Sequence, residues 1–428
     1  MALFAERSWL ERSRRRHGDV FAANVGPFKP LVVVADPAEA KRIFAGDATV
    51  LHGGEAHEIL EPVVGEHSVI LLDENEYLHR RRMYLSPFHG DRMRVYGDTF
   101  REITQDAIDR WPLGTPFSLH KSMLAVTMRV IMRAVFGIEQ AARYEELERR
   151  LARLLHAGQI PVMFPALQRD LGGRGPWGRF LRLKDSVDEV VYEEVRRCRA
   201  DPEVGNRQDV LALLVQARDE DGRPLTDRQL RDDLVTLLVA GHETVASGLA
   251  WAFERLLRHP AVLARLKAEL AEGQDGYLDA VIKETLRTRP PLTAAVRTVK
   301  APIEVGGFTV PAGATLAASM TLIHGRSDLY SDAGAFRPER FEEGAPPPSA
   351  WLPFGGGVRR CVGAAFATHE MKAVIATTLE RCDLAAVGDR PEGLGRRAIT
   401  SVPSRGTRVV LRRRSPRPSI TQSAARPA

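Results

Sequence analysis

Residues 354–363 read FGGGVRRCVG, and the rest of the chain is organised around this stretch. It sets one cysteine, Cys361, among four glycines and two arginines, directly ahead of an apolar run with the spacing of a helix. Glycines allow a planar group to approach the backbone and allow amide N–H groups to point at the sulfur. The helix N-terminus and the arginines favour the ionised thiol. The stretch therefore predicts a thiolate presented as a ligand, and iron is a metal that suits it.

The spacing of this stretch, F-x-x-G-x-R-x-C-x-G, is similar to the haem-ligand loop of the cytochrome P-450 family. A buried cysteine in a glycine-rich turn is the alternative interpretation. Other motifs, described below and found in the family's order, favour the resemblance. It implies haem b (iron protoporphyrin IX) with Cys361 as the axial ligand of the iron. It also implies that Phe354 packs near the sulfur and that Gly357, Arg359 and Gly363 contact the cofactor.

Composition and cysteine usage indicate a soluble, cytoplasmic protein. The chain has 428 residues, of which 44% are hydrophobic, and this supports a large core. Three cysteines are too few and too scattered for a disulfide framework, so we expect a reducing compartment. No run approaches the ~18 apolar residues that cross a bilayer. We therefore predict no membrane span, as in the soluble bacterial members of the family that the chain resembles.

The predicted fold is mainly α. The resemblance implies a single triangular-prism domain with a small β-sheet region, formed by residues 18–411. Residues 1–17 are predicted to be a basic N-terminal segment, and residues 412–428 a disordered basic tail. Residues 158–178 are rich in glycine and proline. The resemblance makes them part of a mobile lid, and an ordinary connection between helices is the alternative.

Much of the net charge of +6 comes from the arginine-rich ends of the chain. No zinc-finger spacing, helix-turn-helix signature or aromatic RNA-binding motif accompanies these arginines. We therefore predict no nucleic-acid binding. A basic surface that attracts an acidic electron-transfer protein is the preferred interpretation of the charge.

Residues 77–88, YLHRRRMYLSPF, carry three consecutive arginines on a predicted helix. The family has a histidine or tryptophan here, with an arginine four residues later, and both reach a haem propionate. Counting back from the phenylalanine assigns these roles to Tyr77 and Arg81. Tyrosine is a departure from the pattern, since it donates a hydrogen bond without a positive charge. His79 and Arg82 are alternatives for the propionate contact, and a solvated basic helix face is a third interpretation.

A periodic run from residue 227 to about residue 259 predicts a helix long enough to cross the molecule, with Thr226 as its N-cap. It contains the sequence AGHET at residues 240–244. Glycine and threonine are unfavourable in a helix interior, and such local conflict often marks a functional site. The motif resembles the family's A-G-x-[DE]-T, which implies a distorted helix over the haem, proton relay by Glu243, and a hydrogen bond from Thr244 to O2. The alternative is that the Thr244 hydroxyl bonds only to a helix carbonyl.

Charged residues at three further places have structural or cofactor roles by the resemblance. Glu284 and Arg287, spaced i,i+3, are typical of a surface ion pair worth a few tenths of a kcal/mol. They match the family's E-x-x-R, whose third partner here is Arg340, and this implies a buried network behind the cysteine loop. Arg297, like Arg359, is implied to bind a haem propionate.

The resemblance also implies a substrate pocket of mostly small and aliphatic side chains, a composition that is equally typical of a core. Its predicted members are Val63, Val69, Met163, Leu238, Val239, Ala240, Thr293, Ala294 and Ile399. They suit a bulky apolar substrate such as a terpenoid, steroid, polyketide or fatty acid, and do not choose among these classes.

The reaction implied is insertion of one oxygen atom from O2 into a C–H or C=C bond of an apolar molecule. No flavin or ferredoxin module is present, so a ferredoxin or flavodoxin type donor with its NAD(P)H reductase is expected to supply electrons. One alternative is a peroxide-driven or non-oxidative haem-thiolate enzyme, which the acid–alcohol pair disfavours. The other is a haem sensor without turnover, which the lack of a signalling domain disfavours.

Overall fold

The computed structural model describes residues 7–23, 30–85, 92–138, 141–158, 160–162, 164–169, 172–344 and 346–417. Helices make up most of it, and the strands form small sheets. The prediction of a mainly α fold with a small β region is confirmed.

The helices are α1 (Arg7–His17), α2 (Pro37–Ala45), α3 (Glu61–Val64), α4 (Glu74–Leu85), α5 (Arg92–Asp109), α6 (Leu119–Phe136), α7 (Ala141–Gly158), α8 (Gly175–Ala200), α9 (Val210–Gln216), α10 (Asp227–Arg258), α11 (Pro260–Ala271), α12 (Gly276–Thr288), α13 (Met320–His324) and α14 (Ala364–Arg381). The strands are β1 (Val20–Ala23), β2 (Leu31–Val34), β3 (Leu51–His52), β4 (Phe117–Ser118), β5 (Ala294–Val299), β6 (Ile303–Val305), β7 (Phe308–Val310), β8 (Thr315–Ser319), β9 (Cys382–Ala386), β10 (Leu394–Arg397), β11 (Thr400–Pro403) and β12 (Arg408–Arg414).

The largest sheet among the described residues has the strand order β1-β2-β8-β5-β3. β2 and β8 run parallel, and the other neighbouring strands run antiparallel. Alternate side chains of β2 and β8 are buried between this sheet and neighbouring helices, in small apolar clusters separate from the main core. The sheet is a rigid support for Arg297, which lies in β5.

Helix α10 is the central element of the core. It spans 32 residues, begins with a capping box between Thr226 and Gln229, and is followed directly by Pro260. The prediction of a long helix over this range is confirmed to within a residue. Its most apolar window has a mean hydropathy of 1.3, which would also suit a membrane span, but 72% of the window is buried inside the protein. α10 is therefore a core helix, packed against α6, α8, α12 and α14.

Residues 303–310 form two antiparallel strands, β6 and β7. Gly306 and Gly307 join them, with φ values of 57° and 80°. These left-handed values form a tight hairpin turn, which glycine adopts without strain.

The C-terminal boundary predicted at Leu411 is wrong, because β12 continues to Arg414 and pairs with β9 along this length. Arg414 donates hydrogen bonds of 2.7 Å and 2.6 Å to the carbonyl oxygens of Asp109 and Trp111, where α5 ends. Arg417 forms ion pairs with Asp106 and Asp109. Cations are favourable at the C-terminus of a helix, and this orders residues that composition alone assigns to a tail. Residues 418–428 lie outside the described residues.

The N-terminal segment is also part of the folded unit from Arg7 onward. α1 buries Leu10 and packs on β1 and α13. Arg14 in α1 pairs with Asp19 at 2.5 Å, and Arg326 pairs with the same carboxylate at 2.7 Å. The basic residues of this segment are therefore partly neutralised within the structure.

Candidate functional site

The loop that carries Cys361 is closed by a 2.9 Å backbone hydrogen bond from the Cys361 N–H to the Phe354 carbonyl oxygen. Gly355 and Gly357 have φ values of 67° and 63°, which other residues avoid. Packing also requires glycine at 357, because an added Cβ would lie 1.8 Å from the carbonyl oxygen of Phe44 in α2. The glycines thus let the loop fold tightly against α2, and Cys361 comes just before α14 with its side chain exposed.

Cys361 is an exposed residue, yet enough protein surrounds its thiol to desolvate it. Burial raises the pKa of the thiol by more than the Gly363 N–H and the charges of Arg360 and Arg81 lower it. The prediction that this loop makes the thiol ionise more easily is therefore wrong for the protein alone. The N–H and the arginines act in the predicted direction and favour the thiolate form of the ligand.

The other two cysteines are unsuited to bind a metal. Cys198 is 1% exposed and Cys382 is 5% exposed, and both belong to the hydrophobic core. Burial raises the pKa of each thiol to about 11. Of the three cysteines, Cys361 is therefore the one that is exposed and has an N–H group and arginines nearby that favour its thiolate form.

The middle of α10 has exposed surface, although most of this helix is buried. Ala240 is exposed, although the α10 residues from Leu230 to Leu238 are all buried. The Thr244 hydroxyl donates a hydrogen bond of 2.7 Å to the Ala240 carbonyl oxygen and remains exposed. The alternative in which Thr244 bonds to a helix carbonyl is thus observed, and the predicted distortion does not interrupt the helix. The hydroxyl oxygen can still accept a hydrogen bond from a molecule in this space.

Gly241 has a packing role that sequence alone did not reveal. A Cβ at this position would lie 2.7 Å from the Cδ1 atom of Ile131 in α6. Glycine therefore allows α6 to approach α10 closely. The local conflict that marked residues 240–244 as functional is explained at this position by helix packing.

Glu243 is a half-buried acid, and Arg397 is its charged neighbour among the residues that the structure describes. Its Oε1 atom lies 3.0 Å from the Nε atom of Arg397 at the end of β10. Burial raises the pKa of Glu243 to about 7, although the Arg397 charge acts in the opposite direction. The carboxyl group can therefore both hold and release a proton near neutral pH.

Arg297 and Arg359, which form what we call the arginine pair, are two neighbouring cations, and only Arg359 has a carboxylate partner among the described residues. Arg359 lies 2.6 Å from an Asp73 oxygen and stacks 3.9 Å from the centre of the Tyr77 ring. Arg297 is 7% exposed and donates to the adjacent carbonyl of Val296 at 2.7 Å. Among the described residues, no carboxylate lies within ion-pair distance of Arg297. Burial and the Arg359 charge lower its pKa to about 10. The arginine pair therefore carries positive charge that an anionic ligand would neutralise.

Sequence analysis left several residues of α4 as alternatives for the propionate contact, and these residues lie on different faces of the helix. The Tyr77 hydroxyl donates to the Val358 carbonyl oxygen at 3.2 Å, and Arg81 donates to the Arg360 carbonyl oxygen at 2.7 Å. Tyr77 and Arg81 thus hold the cysteine loop by its backbone. His79 and Arg82 lie on another face, where both pair with Glu220. The structure therefore favours Tyr77 and Arg81 over His79 and Arg82 as residues of the site.

Asp73 and His57 belong to the site and were missed by sequence analysis. Asp73 accepts hydrogen bonds of 2.8–2.9 Å from the N–H groups of residues 53–55, as well as from Arg359. His57 bonds to the Gly53 carbonyl oxygen at 2.6 Å, and burial and both members of the arginine pair influence its pKa, which is lowered. Neither residue forms part of a recognisable motif, so the sequence alone gave no signal for them.

The structure brings the three residues of the predicted charge network together. Arg287 donates to both oxygens of Glu284, at 2.6 Å and 2.7 Å, and Arg340 donates to one of them at 3.2 Å. Glu284 is 0% exposed, so this is a buried network and not the surface pair that the spacing alone suggests. Arg287 also donates at 2.7–3.0 Å to the carbonyl oxygens of His324, Ala333 and Ala335.

His324 connects this network to the cysteine loop. Its Nδ1 atom lies 3.2 Å from the Arg287 carbonyl oxygen, and its Nε2 atom accepts a hydrogen bond of 2.8 Å from the Leu352 N–H. Leu352 in turn accepts the N–H of Gly355 at 2.9 Å. The histidine must be neutral, with its proton on Nδ1, to make both bonds. His324 therefore links the start of the cysteine loop to the buried charge network by hydrogen bonds.

Replacing His324 by asparagine is expected to destabilise the protein less as the pH falls. Burial lowers the pKa of His324 to about 3, compared with about 6.5 in an unfolded chain. Between these values the unfolded state binds a proton that the folded state does not. The stabilisation by the neutral imidazole is therefore complete above the unfolded pKa and is lost as the pH falls toward the folded one.

The difference in free energy of unfolding between wild type and His324→Asn should shrink by roughly 1.4 kcal/mol for each pH unit below about 6. Urea titrations at several pH values measure this difference. His156→Asn, at an exposed position, is the control for the loss of a histidine. A difference that stays constant with pH would contradict the assignment.

The predicted pocket residues divide into two groups. Those with exposed or half-buried surface are Val69, Val239, Ala240, Thr293, Ala294 and Ile399. Val63 and Leu238 are buried in the hydrophobic core, and Leu238 is 0% exposed, which leaves it no surface to offer a substrate. Met163 lies outside the described residues.

Sequence comparison relates the chain to known proteins over nearly its whole length. The family described as cytochrome P-450 matches residues 7–405. The chain is 40% identical over 413 residues to cytochrome P-450 135B1 of Mycobacterium tuberculosis, covering 94% of this chain and 87% of the relative. It is 39% identical over 401 residues to cytochrome P-450 137 of the same organism, covering 93% and 84%. These names state no reaction or substrate.

The fold is also that of solved cytochrome P-450 structures. The retinoic-acid-bound cyanobacterial CYP120A1 matches with a TM-score of 0.83 at 22% identity, covering 94% of this chain and 93% of that one. The haem domain of cytochrome P-450DA matches with a TM-score of 0.83 at 22% identity, covering 96% and 93%. The chain belongs to the cytochrome P-450 family.

The protein is therefore a haem-thiolate monooxygenase, and its cofactor is haem b with a cysteine-ligated iron. The residues of the site fit this group. Cys361 presents the accessible sulfur, and the charge of the arginine pair exceeds that of Asp73, as binding of the haem propionates requires. The enzyme uses O2, a substrate and electrons from redox partners.

Proposed function

We propose that the enzyme inserts one oxygen atom from O2 into an unactivated C–H or C=C bond of an apolar small molecule. A terpenoid, steroid, polyketide or fatty acid would suit the small and aliphatic side chains of the pocket. The observation that carries the proposal is the pair on α10, where an acid with a pKa near 7 is adjacent to an exposed hydroxyl group. An O2-dependent reaction needs such a proton source, whereas a rearrangement or a haem sensor does not.

The residues that would hold the haem fall into two groups, one around the arginine pair and one in the cysteine loop. Arg297 and Arg359 are proposed to bind the propionates, with Tyr77 and His57 beside them. On the sulfur side, Phe354 is half-buried and packs against Trp351 at a ring distance of 6.0 Å, which limits access to Cys361. Gly363, where an added Cβ would have no atom within 4 Å, is proposed to leave room for the cofactor, whereas the space beside Gly357 is filled by α2. Arg81 orients the loop through its bond to Arg360.

Oxygen activation is the chemistry that the haem supplies when bound, and the thiolate favours O–O cleavage by donating electron density. Glu243 is proposed to hold a proton on its carboxyl group and to release it toward the exposed side of α10. Thr244 is proposed to orient the proton acceptor, because its hydroxyl group is on that exposed side and its own proton is directed to Ala240. These two residues are the catalytic ones in the proposal.

The segment between α7 and α8 is proposed to act as the lid of the pocket. Three of its described residues, Ile160, Phe164 and Leu167, are large, apolar and exposed. Gly172, Gly173 and Gly175 adopt positive φ values nearby, which lets the chain turn sharply. An apolar, glycine-rich connection suits a segment that opens for an apolar substrate.

Electrons are proposed to come from a ferredoxin or flavodoxin type donor and its NAD(P)H reductase, with the enzyme in the cytoplasm. Arg360, next to the proposed haem ligand, is exposed, and Arg81 adds positive charge near the same loop. Such a surface would steer an acidic donor toward the sulfur side of the haem. In this proposal the enzyme has no nucleic-acid partner.

Replacing Thr244 by alanine is expected to lower product formation supported by O2, NADPH and redox proteins by about 100-fold, a typical loss for a positioned proton-transfer group. Turnover with hydrogen peroxide should change little, because peroxide brings its own electrons and protons. The substrate is chosen from terpenoids, steroids, polyketides and fatty acids by the spin-state shift that binding causes in the haem spectrum.

Thr244→Ser keeps the hydroxyl group and is the matched control, which should retain most of the activity with O2. An equal loss with O2 and with peroxide would contradict the assigned role. A wild-type enzyme that is active only with peroxide would instead favour the peroxide-driven alternative.

A further inference from the structure

The first half of α10 carries three consecutive charged residues that are buried. Arg231, Asp232 and Asp233 are 2%, 6% and 0% exposed. Burying a charged group is costly unless it is paired, and apolar residues of similar size are often at least as stabilising in its place. The partners of these charges therefore indicate what the charges hold in place.

Asp232 and Asp233 bind the backbone of the segment between α3 and α4. The N–H of His67 donates to Asp232 at 3.0 Å, and the N–H of Val69 donates to Asp233 at 2.7 Å. The other oxygen of Asp233 accepts a hydrogen bond of 2.7 Å from Arg80 in α4, which is also buried. Both carboxylate oxygens of Asp233 are therefore engaged, one by the segment and one by α4.

A pair of hydroxyl groups makes a third bond between α10 and this segment. The hydroxyl oxygens of Ser68 and Thr236 are 2.6 Å apart, and both residues are buried. Because Thr236 donates its own proton to the Asp232 carbonyl oxygen at 2.7 Å, Ser68 must be the donor to Thr236. Each of residues 67–69 is thus bonded to a side chain of α10.

We call residues 65–72 the clamped loop, and we call their three partners on α10 the loop clamp: Asp232, Asp233 and Thr236. At its start, the clamped loop approaches α10 so closely that an added Cβ at Gly65 would lie 2.1 Å from an Asp232 oxygen. At its end, the Leu72 carbonyl oxygen accepts a hydrogen bond from Arg359, a member of the arginine pair. The clamped loop therefore extends from α10 to a residue that is proposed to bind the haem.

The loop clamp lies on the face of α10 that also carries Ala240 and Thr244. Positions 233, 236, 240 and 244 are three or four residues apart, so their side chains form one row along the helix. Asp233 and Thr236 are buried, whereas Ala240 is exposed and Thr244 is half-buried. Ala240 follows Thr236 by four residues, about 6 Å along the helix axis. The clamped loop thus covers this row up to Thr236 and borders the open space beside Ala240.

We propose that Asp233 is a positioning residue that, through the loop clamp, fixes the clamped loop as a preformed wall of the space beside Ala240, and that this wall favours the binding of bulky ligands there. The proposal rests on the proposed function, since O2 and a substrate would meet in this space. A fixed wall needs no ordering when a ligand packs against it, whereas a loose wall must first be ordered at a cost in affinity. A ligand too small to reach the wall is not affected by it.

The test uses imidazole and clotrimazole as probes, because each binds haem iron through one nitrogen atom and clotrimazole is far bulkier. Their dissociation constants are measured from the haem absorbance of the holoenzyme. Asp233→Asn keeps an acceptor for the Val69 N–H but removes the charge that pairs with Arg80. We expect clotrimazole to bind about tenfold more weakly, the effect of losing one hydrogen bond to a charged group, and imidazole to bind as in the wild type. Hydrogen–deuterium exchange of the clamped loop should become about tenfold faster in this variant.

Two further variants keep the test valid if Asp233→Asn folds poorly. Thr236→Val removes only the hydroxyl group that Ser68 binds, so it should weaken clotrimazole binding in the same direction but by less. Combining Arg80→Gln with Asp233→Asn replaces the buried ion pair by a neutral hydrogen-bonded pair and should restore much of the clotrimazole affinity.

Two controls separate the role of the loop clamp from other effects. Asp227→Asn removes a half-exposed acid at the start of α10 and is the matched control for the loss of a carboxylate. Val409→Ala reduces the core beside β12 and is the control for lower stability alone. Both variants should bind the two probes as the wild type does. The carbon monoxide spectrum of every variant verifies an intact thiolate-bound haem.

The proposal would be overturned if Asp233→Asn and Thr236→Val changed the ratio of the two dissociation constants no more than Val409→Ala does, or if they made clotrimazole bind more tightly. Unchanged hydrogen exchange of the clamped loop in Asp233→Asn would also overturn it. Binding of the probes requires no turnover. A wild type without O2-dependent product formation would therefore contradict the proposed function and leave this test valid, so the two failures are distinguishable.

Discussion

Replacing Cys361 by serine is expected to abolish the red-shifted Soret band that the reduced, carbon monoxide-bound protein shows when its haem has a thiolate ligand. Serine keeps the size of the side chain, but its hydroxyl group is far harder to ionise and is a hard oxygen donor in place of soft sulfur. The electron donation that favours O–O cleavage is then lost, and O2-dependent product formation should be lost completely with it. Absorbance spectra and product analysis measure the two effects.

The buried cysteines provide the control for this experiment. Cys198→Ala and Cys382→Ala remove thiols from the core, so they should change stability and leave the red-shifted band in place. If Cys361→Ser kept the thiolate spectrum, or if Cys382→Ala lost it, the assignment of the iron ligand would be wrong. The result does not depend on the substrate, because the spectrum is recorded without one.

Replacing Arg287 by alanine is expected to destabilise the protein by about 3–5 kcal/mol, the loss observed when one partner of a buried ion pair is removed. The variant leaves the Glu284 carboxylate, which is 0% exposed, with fewer donors. It also removes the donor from three backbone carbonyls that precede the cysteine loop. The loop should therefore lose its fixed geometry, and the purified variant should retain little haem. Urea unfolding and the ratio of haem to protein absorbance measure these effects.

Lys283 is the matched control, because it is adjacent to Glu284 on α12 but forms an exposed i,i+4 pair with Asp279. Lys283→Ala should change the stability by no more than about 0.5 kcal/mol. If Arg287→Ala were as stable as Lys283→Ala, the network would have no supporting role. Arg287→Lys should give an intermediate result, because lysine keeps the charge but cannot donate to both carboxylate oxygens.

Local patterns were sufficient for the parts of the site that lie in continuous stretches. Residues 354–363 identified the ligand loop, because the positions of its glycines follow from the backbone that it must adopt. The long helix α10 was predicted to within a residue, since its cap, its apolar period and the following Pro260 are all local signals. The helical spacing of Tyr77 and Arg81 likewise placed both on one face of α4.

Single residues without a neighbouring motif were not predictable in the same way. Asp73, His324 and Arg397 each act through a contact with a distant part of the chain. His57 is influenced by the charges of Arg297 and Arg359, which are also remote in sequence. The end of β12 was missed because the partners of Arg414 and Arg417 are in and after α5. Glycine is needed at residue 241 because a side chain of α6 packs closely there, and no pattern around residue 241 reveals this contact.

The order of residues along the chain predicted Cys361 as the ligand, and it determined the cofactor class and the extent of α10, because glycine geometry, capping and periodicity act over a few neighbouring residues. Folding then set the chemistry of individual groups. It surrounded Cys361 so that burial raises its pKa, and it raised the pKa of Glu243 to about 7 beside Arg397. Within the described part of the chain, it also left Arg297 without a carboxylate at ion-pair distance. Burial and charge pairing depend on atoms that are remote in the chain and adjacent in space, so the tertiary structure alone could decide them.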